Sequence, residues 1–159
     1  MNIQLPSFLQ KGDKVVIVSP SSKIDKEFLK RAKKRLESWG LKVSMGKYAG
    51  GSSGRYAGTI RQRLQDLQGA MDDPKVKAIL CSRGGYGAVH LVDKIDFTAF
   101  REHPKWLLGF SDITALHNLC LPAFADGASS DRGTGGRPLR GLSERYSLRQ
   151  SARLYLRKA

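Results

Sequence analysis

Four short apolar segments alternate along this chain with longer segments in which apolar residues recur at helical spacing. Each apolar segment contains Val, Ile or Leu and runs into Gly, Pro or Ser, which is typical of a buried strand that ends in a loop. The four predicted strands cover residues 14–20, 41–45, 76–81 and 105–110.

Helical spacing predicts helices between these strands and after the last of them. The first helix, from Lys26 to Trp39, is capped by Asp25 and ended by Gly40. Its predicted apolar face consists of Phe28, Leu29, Ala32, Leu36 and Trp39. The second helix runs from about Thr59 to Met71, with Ile60, Leu64, Leu67 and Met71 on one face. Short helices are expected around residues 88–92 and over 112–121, and a loop over 98–104.

The regular alternation of strand and helix predicts an α/β domain, with a largely parallel sheet flanked by helices in the Rossmann or flavodoxin-like manner. In such sheets ligands bind beyond the carboxyl ends of the strands. Three loops begin at such strand ends, after Val18, Cys81 and Phe110. These loops hold most of the glycine and polar residues. We therefore expect the functional site where these loops meet.

Ser111 stands between the fourth predicted strand and the helix after it. A hydroxyl at a sharp strand-to-helix turn is raised out of the sheet beside backbone N–H groups, which is the geometry of a serine nucleophile. The alternative is that Ser111 caps the helix, a common role for serine. Taken alone, the residue favours the capping role.

Two other loops carry candidate binding residues. Arg83-Gly84-Gly85-Tyr86-Gly87 follows a strand and can present N–H groups to an anion, but it lacks the spacing of a P-loop or of a dinucleotide fingerprint. Ser19-Pro20-Ser21-Ser22 is either a plain loop or part of a site. His117 points away from Ser111 on the same helix, and no His, Cys, Asp or Glu cluster has metal-ligand spacing.

Composition and charge narrow the possible partners. The formal net charge of +14 suggests nucleic acid or an anionic membrane as a partner. However, the basic residues are scattered, and the densest run, Lys30–Arg35, is expected to be a solvated helix face. We expect no nucleic-acid or membrane partner. Two isolated cysteines in apolar segments, and the absence of a signal-peptide pattern, favour a cytoplasmic location.

The chain changes character after about Leu121. Residues 122–159 contain no Val, Ile, Met, Trp or Cys, and Arg there replaces Lys almost completely. The sequence therefore predicts two regions: an α/β domain over 1–121, and an Arg/Gly/Ser-rich tail over 122–159. Such a tail is typical of a disordered or frame-shifted C-terminus. Much of the excess positive charge then says nothing about partners.

With these loops in place, the chain resembles the LD-carboxypeptidase family, the muramoyltetrapeptide carboxypeptidases, over roughly residues 3 to 120. Microcin-immunity peptidases are relatives of that family. Four motifs occur in family order: Gly12–Ser22, Tyr56–Thr59 with Arg61–Leu67, Ser82–Gly87, and Gly109–Thr114.

The resemblance implies a serine peptidase of cytoplasmic cell-wall recycling that removes the terminal D-alanine from a murein tetrapeptide. Ser111 would be the nucleophile, and the backbone N–H groups of Gly85 and Asp112 would form the oxyanion hole. The substrate-binding residues would be Ser19, Pro20, Ser21, Arg83, Gly84 and Tyr86. No metal or organic cofactor is expected, and a homodimer is the expected assembly.

The family takes its catalytic Glu and His from a second, C-terminal domain, and neither role matches a residue here. We therefore expect this chain to be the N-terminal, nucleophile-bearing part of such an enzyme, and to be inactive alone. The alternative is a module that binds murein peptides without chemistry.

Overall fold

The computed structural model describes residues 5–121, and the predicted tail over 122–159 lies outside them. Its centre is a four-stranded parallel sheet with the strand order β2-β1-β3-β4. The strands are β1 (Lys14–Val18), β2 (Lys42–Met45), β3 (Val76–Cys81) and β4 (Trp106–Leu108). The predicted α/β architecture with a parallel sheet is confirmed.

Within residues 5–121, four helices connect or follow the strands: α1 (Lys26–Glu37), α2 (Ile60–Asp72), α3 (Thr98–Glu102) and α4 (Thr114–Cys120). Two 3-10 turns, Ala88–Leu91 and Ser111–Ile113, follow β3 and β4 respectively. The prediction of a loop over 98–104 was wrong, because α3 occupies most of it. A helix of 5 residues is too short to show a helical period in the sequence.

The starts of α1 and α2 are fixed by side-chain caps. The Asp25 carboxylate accepts a hydrogen bond from the Glu27 amide at 2.8 Å, as predicted. Thr59 and Gln62 form a reciprocal capping box at the start of α2, with bonds of 2.9 and 3.2 Å. Each cap satisfies backbone N–H groups that the helix itself leaves unpaired.

The main core lies between one face of the sheet and helices α2, α3 and α4. It is built from apolar side chains, including Val18, Ile79, Leu67, Met71, Phe100, Ile113 and Leu116. The opposite face of β1 and β2 is covered by α1 through Leu29, Ala32 and Leu36. Both cysteines are buried free thiols, as expected.

The predicted apolar faces of α1 and α2 were partly wrong. Phe28 and Trp39 are 55% and 39% exposed, and Ile60 is 40% exposed. Phe28 and Trp39 instead lie under the guanidinium groups of Arg31 and Arg35, at 4.9 and 5.5 Å from the ring centroids. Only the narrow stripe around Leu29 meets the sheet, so the aromatic residues at its edges remain in solvent.

Lys105 is completely buried at the start of β4. Its Nζ donates hydrogen bonds of 2.7 Å to the carbonyl oxygens of Met71 and Asp73, at the C-terminal end of α2. Burial lowers the pKa of Lys105 to about 8. The side chain thus ties the last turn of α2 to the sheet. Within residues 5–121, no helix is long and apolar enough to cross a membrane.

Candidate active site

Three loops meet beyond the carboxyl ends of the strands, as the sequence predicts. We call them the serine loop (Ser19–Ser22, after β1), the glycine loop (Ser82–Gly87, after β3) and the elbow (Gly109–Asp112, after β4). Direct bonds connect the serine loop to the glycine loop, since Ser19 Oγ lies 2.7 Å from Ser82 Oγ and the Tyr86 amide donates to Ser22 Oγ at 3.1 Å.

Ser111 adopts a left-handed backbone conformation, with φ of 59°, and it is the only non-glycine residue with positive φ in the part of the chain described. This conformation costs a non-glycine residue about 1–2 kcal/mol. The side chain is exposed and caps neither the 3-10 turn nor α4. The helix-capping alternative was therefore wrong, and Ser111 is an exposed residue held in a strained turn.

Two glycines make room for the elbow. A Cβ on Gly109 would lie 2.6 Å from Ile113 Cγ2, and a Cβ on Gly84 would lie 2.8 Å from the Phe110 carbonyl oxygen. The same Cβ on Gly84 would also lie only 2.9 Å from Ser111 Cβ. The glycine loop therefore packs directly against the elbow, at a separation that only glycine permits.

The backbone N–H groups of Gly85 and Asp112 donate to no acceptor within residues 5–121. Gly85 is exposed and directly follows the residue that touches the elbow, while Asp112 directly follows Ser111. Unpaired backbone amides are the kind of donor that stabilises negative charge on a carbonyl oxygen under attack.

The serine loop lies beneath the site. Ser19 and Ser21 are 4% and 0% exposed, and Pro20 is also buried. Ser19 Oγ donates to the Ala49 carbonyl oxygen and Ser21 Oγ donates to the Asp112 carboxylate, each at 2.5 Å. These hydroxyls support the other loops, and the substrate contact expected of the serine loop stays a prediction.

Arg63 of α2 is a residue of the site that sequence reasoning missed. It is 2% exposed, and its guanidinium donates to the carbonyl oxygens of Gly58, Pro20 and Gly87. Burial lowers the pKa of Arg63, and the nearby charges of Tyr56 and Asp112 oppose that shift. Its position four residues before buried Leu67, on the apolar stripe of α2, was the available signal.

An aromatic group borders the glycine loop. The ring centroid of His90 lies 5.4 Å from that of Tyr86, edge-on, and 5.7 Å from that of Tyr56. The Arg55 guanidinium carbon lies 5.7 Å from the centroid of Tyr86, a ring that is 46% exposed. Arg83 is exposed and donates to the Lys23 carbonyl oxygen at 3.3 Å. Tyr86 and Arg83 are thus accessible to a ligand at the rim.

Ser111 Oγ makes no hydrogen bond to any group within residues 5–121. His90 packs in the aromatic group, and burial lowers the pKa of His117, which lies beside the Leu107 backbone. Neither imidazole is bonded to the serine. In the same range, no three His, Cys, Asp or Glu side chains are grouped closely enough to hold a metal ion.

Comparison with known proteins places this chain in a family. Residues 15–125 match the model of the LD-carboxypeptidase N-terminal domain. A probable murein peptide carboxypeptidase of Bacillus subtilis is 43% identical over 112 residues, which are 70% of this chain and 35% of that protein. The murein tetrapeptide carboxypeptidase of Pseudomonas aeruginosa is 36% identical over 115 residues, covering 69% of this chain and 38% of that protein.

The fold has solved counterparts. A crystal structure of an MccF-like protein from Bacillus anthracis superposes with a TM-score of 0.70 at 38% identity, covering 76% of this chain and 38% of that one. The chain belongs to the LD-carboxypeptidase family, in which it matches the N-terminal domain. It spans little more than a third of the length of these relatives.

Proposed function

We propose that this chain is the nucleophile-bearing part of a serine LD-carboxypeptidase that removes the terminal D-alanine from murein tetrapeptides in cytoplasmic cell-wall recycling. The observation that carries the proposal is the strained, exposed Ser111 beside the two unpaired amides of Gly85 and Asp112. The names of the curated relatives support the substrate class.

The chemistry would be acyl transfer in two steps. Ser111 Oγ attacks the carbonyl carbon of the scissile amide and loses its proton to a general base. The Gly85 and Asp112 amides stabilise the oxyanion, and D-alanine leaves as its nitrogen takes a proton. Water then hydrolyses the acyl-serine. Arg83, Gly84 and Tyr86 would contact the peptide at the rim of the site.

The general base would come from outside residues 5–121, because no group within them is bonded to Ser111 Oγ. Loss of the base from a catalytic serine typically lowers the rate by about 10⁴-fold or more. We therefore propose that this chain has no useful peptidase activity by itself.

Labelling and turnover test these statements separately. A fluorophosphonate probe should label Ser111 slowly, with the adduct located by mass spectrometry and abolished in Ser111→Ala. D-Alanine release from a murein tetrapeptide should be undetectable for this chain and clear for the Pseudomonas aeruginosa relative. Labelling elsewhere but not at Ser111 would refute the nucleophile, and rapid D-alanine release would refute the external base.

A second candidate function is a murein-peptide binding module, which the absence of a base at Ser111 within residues 5–121 favours. Calorimetric titration with a murein tetrapeptide tests it, with Tyr86→Ala as the variant expected to weaken binding. No heat at millimolar peptide would refute this candidate. Sedimentation of the purified chain would test the proposed homodimer.

A further inference from the structure

We propose that the carboxylate of Asp112 is a positioning group that holds the elbow against the glycine loop and so sets the separation of the two unpaired amides. The inference rests on the proposed function of Ser111, because it assigns those amides to the same reaction. The carboxylate itself touches no reacting atom.

A single oxygen atom makes the connection. Asp112 Oδ2 accepts a hydrogen bond from Ser21 Oγ at 2.5 Å and another from the Ala88 amide at 2.8 Å. Ser21 follows β1, Ala88 follows β3 and Asp112 follows β4. One side chain thus joins the segments that leave three strands of the sheet.

The other bonds of the glycine loop lead elsewhere. The Tyr86 amide donates to Ser22 Oγ, and the Gly87 carbonyl oxygen accepts from Arg63. These bonds attach the loop to the serine loop and to α2. Within residues 5–121, the Ala88–Asp112 bond is the only hydrogen bond between the elbow and the segment 82–88.

The two ends of this connection lie near the two amides in the sequence. Asp112 carries one of them on its own backbone, and Ala88 is three residues after Gly85, which carries the other. Amide donors stabilise an oxyanion only when both point at the place where the charge develops. A displacement of about 1 Å in such a site can lower the rate by about 10²-fold.

The geometry supplies a conservative variant. Both bonds end on Oδ2, and Asp112 Oδ1 has no hydrogen-bond partner within residues 5–121. In Asp112→Asn the amide oxygen can replace Oδ2 while the NH₂ group takes the place of Oδ1. Asp112→Ala removes both bonds and Ser21→Ala removes one of them.

Asp66→Ala is the matched control. The Asp66 carboxylate also accepts a backbone amide, that of Tyr48 at 2.8 Å, but it holds the loop after β2 and not the elbow. It therefore loses the same kind of bond at a place that the proposal does not involve.

The first measurement is the fluorophosphonate labelling rate of Ser111 in the full chain. Asp112→Ala should lower this rate by at least about tenfold, while Asp112→Asn and Asp66→Ala should stay within a factor of about three of the wild type. An unchanged rate in Asp112→Ala, or an equal loss in Asp66→Ala, would overturn the proposal. If Asp112→Ala does not fold, the labelling rates of Ser21→Ala and Asp112→Asn decide. A lower rate in Ser21→Ala but not in Asp112→Asn supports the proposal. A lower rate in Asp112→Asn but not in Ser21→Ala overturns it.

The second measurement does not depend on reactivity. Amide hydrogen exchange followed by NMR should show faster exchange at Ala88, and a shifted Gly85 resonance, in Asp112→Ala but not in Asp66→Ala. Unchanged exchange and an unchanged resonance would overturn the proposal. If wild-type Ser111 does not label at all, the proposed function fails, and this measurement alone decides the positioning role.

Discussion

At the scale of single residues, the site depends on backbone conformation more than on side-chain identity. Ser111 has a φ of 59°, a region that glycine enters freely and other residues rarely adopt. The surrounding packing must overcome this cost, and residues held in such strain cluster at functional sites. The strain is therefore independent structural support for a functional Ser111.

The strain gives a prediction about stability. Ser111→Gly should be more stable than Ser111→Ala by about 1 kcal/mol, because both lose the hydroxyl but only glycine accepts the left-handed conformation without a Cβ penalty. The check is urea unfolding followed by circular dichroism. Equal stabilities, or the usual advantage of alanine, would show that the turn is not strained.

At the scale of elements, the site is an assembly of three loops joined by close packing. The glycine loop approaches the elbow so closely that a Cβ on Gly84 would meet the Phe110 carbonyl oxygen at 2.8 Å. Backbone atoms at that distance cannot rotate away as a flexible side chain can. The close approach of the glycine loop to the elbow thus depends on the absence of a side chain at Gly84.

We predict that Gly84→Ala destabilises the domain by about 1–3 kcal/mol, the usual cost of overpacking. Its control is Gly69→Ala in α2, where a Cβ would meet nothing within 4 Å. That variant should stabilise the domain by about 0.5–1 kcal/mol, since alanine favours a helix interior. Urea unfolding of both variants measures these stability changes. A Gly84→Ala variant as stable as wild type would refute the packing argument.

At the scale of the whole molecule, buried ionisable groups make stability depend on pH. Burial lowers the pKa of Lys105 from 10.5 to about 8. Burial acts in the opposite direction on the thiols, raising the pKa of Cys81 and raising that of Cys120 to about 12. The lysine and the cysteines therefore have opposing effects in alkaline solution, and a variant is needed to separate them.

Between pH 8 and 10.5 the unfolded chain binds more protons at Lys105 than the folded chain does. The contribution of Lys105 to the free energy of unfolding should therefore increase with pH across this window. We predict that wild type gains stability relative to Lys105→Met between these pH values, in urea titrations at several pH points. A difference that stays constant or shrinks would contradict the lowered pKa.

Sequence patterns predicted most of the fold, because strands and helices have distinct periods. Val76–Cys81 was predicted without error, and Asp25 and Thr59 mark real helix starts. The errors in the apolar face of α1 have a common cause. Phe28 and Trp39 have helical spacing, but spacing does not show how wide a stripe the sheet covers.

The sequence by itself determined the order of the four strands and of the two long helices, and through it the edge of the sheet where the loops gather. It also determined the family, because four motifs of that family occur in the family's order along this chain. Only the tertiary structure showed that Ser111 is strained rather than a helix cap, since φ depends on what surrounds the turn. The roles of Arg63 and of the Asp112 carboxylate likewise depend on contacts between residues far apart in the sequence, which local patterns do not encode.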